Sequence, residues 1–542
     1  MPSPKMNLEI SLNWLKDFKS FLNEKSDYLV AASLSALSVV YFIYFYNNGL
    51  AIAYNDARSH LDIARRVVEG LNHGFAQIGS VWLPLLHILM IPTIGNDFLW
   101  HSGLSGSLIS MISFVFTGVL INRFLKEIGA GFAARLIAVF VYAFNLNILY
   151  MQSIAMTEML LLATMTAGTY ELMVWYKTGN YLNIIKAAFW IMLSTLTRYD
   201  GWFLLAVAGV LVLFRTLPKR SWKYSEGVVV LFSTLAFFGI ILWLGWNLVI
   251  FRDIFYFAFG PFSAKAQQDI LLNSGNLPTK GNLLLSAKIY FYALMYNSGS
   301  FNVVLGLLGL IMLVTHKKLS AGVRLASLAL LAPLLFNILA LYLGHSVLYI
   351  QGISGNTWFN ARYGLMLVPT IAIFIGYLYH RLSSLRRLLV AVLLVTTFLS
   401  LFGGDAVTID DAQIGSSQKN VTEVAHYLQK NAVNTQDFIL ISVASHDAII
   451  FSSGLPMSRF IHEGAGAYWT EALADPSRYA HWIIMRSGDN TDLLYRSIKD
   501  NPSFINKYQL AGHYPFADIY ELKSQYRFGL QKYSSVISQN NK

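Results

Sequence analysis

No cysteine occurs among the 542 residues. That excludes disulfide staples, zinc–thiolate centres and thiol catalysis, and leaves the compartment open. Charge is scarce too. Asp, Glu, Lys and Arg make up 13% of the chain, about half the share in an ordinary soluble domain. No G-x-x-x-x-G-K-[ST] run and no dinucleotide fingerprint is present, which disfavours an ATP motor or a nucleotide-sugar Rossmann enzyme. No low-complexity tract or internal repeat is visible. No small-residue cleavage site follows the first apolar run, and a polar segment precedes it. That run therefore reads as an anchor and not as a removed signal peptide.

What fills the chain is apolar surface, 55% of all residues. Stretches near the roughly 20 residues needed to cross a bilayer recur from Tyr28 to Phe402. Spans are expected near 28–47, 103–122, 132–150, 155–175, 185–198, 201–215, 227–250, 299–315, 323–343, 362–380 and 387–402. That makes about eleven crossings. Two of them, 185–198 and 201–215, are short enough for a hairpin or a tilted pair. The net charge of +11 could suggest nucleic acid. Its carriers instead cluster in short loops: Arg123, Lys126 and Arg135; Lys177 and Lys186; Arg215, Lys219, Arg220 and Lys223; Lys317, Lys318 and Arg324; Arg381, Arg386 and Arg387. By the positive-inside rule these loops are cytoplasmic. The N-terminal segment 1–27, with Lys5, Lys16, Lys19 and Lys25, joins them, and an odd number of crossings puts the C-terminus outside.

The expected fold is thus a polytopic α-helical protein of the cytoplasmic membrane, N-terminus in and C-terminus out. A transmembrane module covers 28–402, with a long first external loop at 48–102. That loop begins as a helix and continues as "SVWLPLLHILMIPTIG", too short to span, broken by Pro84 and Pro92, and read as interfacial or re-entrant. Residues 251–298 read as a polar, turn-rich external loop. From Gly403 the composition turns soluble. "VTEVAHYLQKNA" predicts a helix and "DFILISV", "HWIIM" and "ADIYELK" predict strands, so 403–542 reads as an extracytoplasmic α/β domain.

Ionisable residues gather at the outer ends of the spans. Asp56 follows the first span in "YNDARSHLDIARR". It, or Asn55, could simply cap the helix that starts there. His60 lies one turn on, a spacing that also allows a shared metal or an oriented imidazole. Glu158 in "QSIAMTEMLL" sits at the mouth of a span, where a carboxylate is costly unless it faces the bundle interior or water. "STLTRYDGWF" offers Arg198, Tyr199 and Asp200, either a local ion pair closing a hairpin or an arginine aimed at an anion. "NARYGLMLVP" puts Arg362 and Tyr363 at the lip of another span. Arginine suits phosphate because its planar fork donates two hydrogen bonds. His345 and Lys265 are weaker candidates. The pairs His446–Asp447 and His462–Glu463 in the C-terminal region read as turn caps or acceptor contacts.

This arrangement resembles the glycosyltransferase-C superfamily, whose members include protein O-mannosyltransferases, the aminoarabinose transferase that modifies lipid A, and oligosaccharyltransferases. The matching features are the acid after the first span in "YNDARSHLDIARR", the short apolar helix "WLPLLHILMIP", the acid in "MTEM", the "LTRYDGW" turn and "NARYGLMLVP". Together they cover roughly residues 28–402. The resemblance implies an extracytoplasmic glycosyltransferase, moving a hexosyl or pentosyl group from a polyprenyl- or dolichyl-phosphate sugar to a protein, lipid or glycan acceptor, with no nucleic-acid partner. It implies Asp56 as catalytic base and Glu158 as second acid. Arg198 and Arg362 become the donor-phosphate positions, with His60, Tyr199, Asp200, Tyr363 and His345 in support. Many relatives carry two acids in the first loop, whereas here Asn55 precedes a single Asp56. No cofactor is certain, and a divalent metal is left open, with Asp56, His60 and Glu158 as its ligands if there is one. A transporter or flippase for lipid-linked saccharides is the alternative. It calls for polar residues at mid-membrane and repeated broken helices, neither of which the sequence displays.

Overall fold

A chain in lipid must satisfy every backbone N–H and C=O internally, so its apolar runs become helices. The computed structural model describes residues 21, 23–217, 221–260, 263–414 and 418–531. Lys5, Lys16, Lys19, Lys219 and Arg220 lie outside the described residues.

Among the described residues six helices are long and apolar enough to cross a membrane: Ser26–Asn47, Leu104–Glu127, Trp222–Phe251, Ala321–Leu343, Ala361–Arg381 and Arg386–Ile414. A seventh span results if Leu283–Ser298 and Ser300–Thr315, bent by 105° at their junction, count together. The chain is a multi-pass helical membrane protein. Several of the eleven expected crossings fail the length and composition test for local reasons. The run at 132–150 is interrupted by Asn145, whose side chain accepts from the Ile148 N–H at 3.0 Å and starts a new short helix. Tyr181–Thr195 and Asp200–Thr216 are each too short. Thr157–Thr178 has the length but carries Glu158, Glu171 and Lys177.

Two corrections bear on the site. Leu283–Ser298, expected inside an external loop, is a helix that buries Ile289, Tyr290 and Ala293 and packs on Ala361–Leu367. And the chain does not leave the bundle at Gly403: Val407–Ile414, the end of the span Arg386–Ile414, packs on Leu146–Met151 and Ala361–Leu367.

Small residues let lipid-embedded helices approach closely. Ser300–Thr315 lies on Val368–Arg381 through Gly306 and Gly309, and a Cβ at Gly309 would come within 2.0 Å of the Phe374 carbonyl oxygen. Gly309→Ala should therefore cost about 1–3 kcal/mol through overpacking, seen as a lower melting temperature in detergent. Gly245→Ala, where a Cβ meets nothing within 4 Å, should leave that temperature unchanged or raise it slightly.

The C-terminal region is a small mixed α/β unit. Its strands are β1 (Phe438–Ile441), β2 (Phe460–Ile461), β3 (Ala480–Met485), β4 (Tyr508–His513) and β5 (Asp518–Leu522), in sheet order β2-β1-β3-β5-β4. β1 runs parallel to β2 and β3, with Leu440 opposite Ile461 and Ile483. β5 is antiparallel to β3 and β4. The three parallel strands are buried throughout, which is why they read as unbroken apolar runs. This unit sits on helix Asn55–Val68. Arg58 Nη1 donates to Ser452 Oγ at 2.9 Å, Ser458 Oγ donates to Glu69 Oε1 at 3.1 Å, and Gln77 Nε2 donates to the Gly464 carbonyl at 2.8 Å.

Candidate active site

Carboxylates are stabilised in the first turn of a helix by free N–H groups and the macrodipole. Asp56, Glu158 and Asp200 each occupy such a turn, in Asn55–Val68, Thr157–Thr178 and Asp200–Thr216. The fold brings these three helix N-termini together, and that of Ala361–Arg381 supplies the cation between them. Arg362 Nη2 donates to Asp56 Oδ2 at 2.5 Å, and its Nε donates to Glu158 Oε1 at 3.0 Å. Arg198 Nη1 reaches the same Glu158 oxygen at 3.1 Å and Thr157 Oγ1 at 3.3 Å. Its Nε faces Asp200 Oδ2 at 3.4 Å, and Asp200 Oδ1 accepts from Asn337 Nδ2 at 3.3 Å. The Tyr363 ring stacks on both guanidiniums, 4.9 Å from Arg198 and 5.5 Å from Arg362, and the Tyr54 ring lies 5.1 Å from Arg362.

Burial sorts the members. The Glu158 side chain is 0% exposed and Arg362 7%, while Asp56 is 41% exposed. Glu158 and Arg362 are therefore the fixed partners and Asp56 the one that meets water. Glu158 Oε2 is buried with no hydrogen-bond partner among the described residues. A buried carboxylate oxygen left unpaired is costly, and this one lies beside two arginines.

Other expected residues lie next to the cluster or outside it. His60 is turned away: its Nδ1 meets His87 Nε2 at 2.8 Å, and its ring packs on Trp82 at 4.3 Å. Tyr199 points the other way, its hydroxyl donating to the Val81 carbonyl at 3.4 Å and its ring lying over Phe257. His345 is exposed, and its backbone N–H donates to the Ala340 carbonyl at 2.8 Å. Lys265 pairs with Asp269 on an exposed helix. In the C-terminal region, Glu463 receives the Val443 N–H at 2.9 Å and so caps Val443–Ser453, while His462 Nδ1 accepts the Gly464 N–H at 3.0 Å. His446 pairs with Asp492 at 2.6 Å; the Asp447 side chain lies outside the described ones.

Asp56, His60 and Glu158 do not form a ligand set. Among the described residues no group of three His, Cys, Asp or Glu side chains is placed to hold a metal ion. Arg362 holds one oxygen of Asp56 and one of Glu158, and His60 Nδ1 faces His87. The residues as arranged do not fit a metal.

Sequence reasoning missed Asp411, whose Oδ2 lies 3.9 Å from Arg362 Nη1. It also missed His87, hidden in an apolar run. Burial, followed by the charges of Arg362 and Arg198, pushes His60 down to about 3. Burial and Arg66 push His462 down to about 3. Both stay neutral in the folded chain while their unfolded counterparts protonate near 6.5. The unfolded state then binds more protons as pH falls below about 6.5, so folding stability declines from there towards pH 3. The melting temperature should be lower at pH 5 than at pH 7.5, and His60→Gln or His462→Gln should each reduce that difference.

Neither a family model nor a curated protein matches the sequence. The structure does find counterparts. ArnT from Cupriavidus metallidurans bound to undecaprenyl phosphate superposes with a TM-score of 0.54 at 11% identity, over 90% of this chain and 98% of that one. The chain shares its overall fold with ArnT. Apo ArnT gives a TM-score of 0.54 at 12% identity with the same coverage. The Archaeoglobus fulgidus oligosaccharyltransferase in its apo form gives 0.51 at 11% identity, covering 86% of this chain and 70% of that one. At such identities the likeness speaks for the fold, and the chemistry has to be argued from the side chains.

Proposed function

We propose that this chain is a membrane glycosyltransferase, taking a sugar from a polyprenyl-phosphate-linked donor and passing it to an acceptor outside the cytoplasm. The observation that carries the reading is the chain of contacts Asp56–Arg362–Glu158–Arg198 at four converging helix N-termini. Helix N-termini and arginine forks are anion sites, and a carboxylate with an unused oxygen stands between them.

Two guanidiniums face four carboxylates here, counting Asp200 and Asp411. A phosphate joins by taking the place of one of them. Asp56 is the exposed one, held to Arg362 by a single oxygen. Donor phosphate on the Arg362 fork displaces it, which leaves Asp56 free beside the anomeric carbon. The acceptor oxygen then forms its bond to that carbon while its proton passes to Asp56. The bond from the anomeric carbon to the phosphate oxygen breaks, and the polyprenyl phosphate leaves with its negative charge held by Arg362 and Arg198. One displacement with no sugar–enzyme bond inverts the anomeric centre. Glu158 Oε2 accepts from a sugar or acceptor hydroxyl and orients it. The short basic loops at the other ends of the helices support an outward-facing site.

Radiolabelled polyprenyl-phosphate sugars, offered to the chain in vesicles with candidate acceptors, test the reading. Label moving into an acceptor supports it. Label crossing the bilayer still attached to its lipid, or not moving at all, overturns it.

A further inference from the structure

Asp411 lies near the end of the last span, Arg386–Ile414, where the composition has already turned soluble, yet it is 4% exposed and faces the cluster. One of its oxygens, Oδ2, accepts from the Tyr54 hydroxyl at 3.0 Å and from the Ala361 N–H at 3.1 Å. Tyr54 immediately precedes the helix of Asp56, and Ala361 immediately precedes Arg362. A single carboxylate oxygen thus ties together the two backbone segments whose side chains meet at 2.5 Å.

The helix carrying Asp411 is itself fixed to that segment from the other side. Thr408 donates its N–H and its hydroxyl to Asn147 Oδ1 at 3.0 and 2.9 Å. Asn147 Nδ2 and Asn145 Nδ2 donate to the Asn297 carbonyl at 3.3 and 2.7 Å, and Asn297 Nδ2 donates to the Ala361 carbonyl at 2.7 Å. The ring closes: Asp411 holds the N–H of Ala361, Asn297 holds its carbonyl, and Asn147 links Asn297 back to the helix of Asp411. Such a ring over-determines the position of a short segment, because no member can shift without breaking a buried hydrogen bond.

We infer that Asp411 is a positioning residue for the donor phosphate, fixing the Arg362 fork against Tyr54 and Asp56, and that helix Val407–Ile414 belongs to the donor site. This rests on the proposed role of Arg362.

The test is a double-mutant cycle on the full chain in nanodiscs, with undecaprenyl phosphate as probe and its Kd as readout. Asp411→Ala should weaken binding about tenfold. Asp411→Asn keeps an acceptor oxygen for Tyr54 and Ala361, so it should restore affinity to within about twofold of the parent, or tighten it, because a negative charge near the phosphate is gone. In an Arg362→Ala background, Asp411→Ala should change Kd by less than twofold. Should Asp411→Ala fail to fold, Thr408→Val, which removes one arm of the ring, should weaken binding about threefold in the parent and not in the Arg362→Ala chain. Binding unchanged in Asp411→Ala, no recovery with Asn, or equal losses in both backgrounds overturns the inference. Unchanged binding in Arg362→Ala alone overturns instead the reading of Arg362 on which it rests.

Discussion

Asp56→Asn lowers the transfer rate by about 10²- to 10⁴-fold, the range over which a positioned general base acts. Undecaprenyl phosphate, in contrast, binds this variant at least as tightly as the parent. Both outcomes follow from one contact. Asp56 Oδ2 lies 2.5 Å from Arg362 Nη2, so the carboxylate competes with the phosphate for the fork before it can serve as a base. An amide of the same shape competes less and accepts no proton. Single-turnover transfer and equilibrium binding, measured on the same preparation, separate the two effects. Full transfer by the Asn variant would remove Asp56 as base, and weaker phosphate binding would remove the competition.

Arg362→Ala strikes both stability and binding. Glu158 is fully buried and receives Arg362 Nε on Oε1, and taking one partner from a buried pair costs about 3–5 kcal/mol. Donor phosphate loses its charged hydrogen bonds to the fork, each contributing about 1.5–3 kcal/mol, so Kd should rise by at least tenfold. Lysine should not restore it, because an ammonium cannot bridge Asp56 and Glu158 while lying flat between Tyr54 and Tyr363. Chemical or thermal unfolding in detergent reports the first effect and phosphate binding the second. An Arg362→Lys chain with the parent's stability and affinity would show that the planar fork is irrelevant.

The four residues at the centre of the cluster were legible in the sequence for a physical reason. An ionisable side chain at the end of an apolar run is expensive unless it has a partner, and Asp56, Glu158, Arg198 and Arg362 each stood in such a place. What the sequence could not convey was the pairing, since the partners are separated by as many as 306 positions. Asp411 escaped notice because it follows the change in composition at Gly403, after which acids are commonplace. Leu283–Ser298 was hidden by the polar "NSGNLPTKGN" before it and by its length, short of a full crossing and ended by the sharp bend at Gly299. In the sheet, β1 and β3 announced themselves by apolar runs and β5 by the strand-like "ADIYELK". β2 has two residues, and β4 is largely exposed along "YQLAGH"; neither leaves a pattern to read. His60 and His345 were legible as ionisable residues near the outer ends of the spans, but His60 meets His87 and Trp82 and His345 is exposed.

The most direct measurement is a cryo-EM map of the chain with undecaprenyl phosphate bound. Phosphate density is expected within about 3 Å of both Arg362 and Arg198, with the Asp56 carboxylate moved off Arg362 towards water. Phosphate held elsewhere, with the Asp56–Arg362 pair still closed, would contradict it.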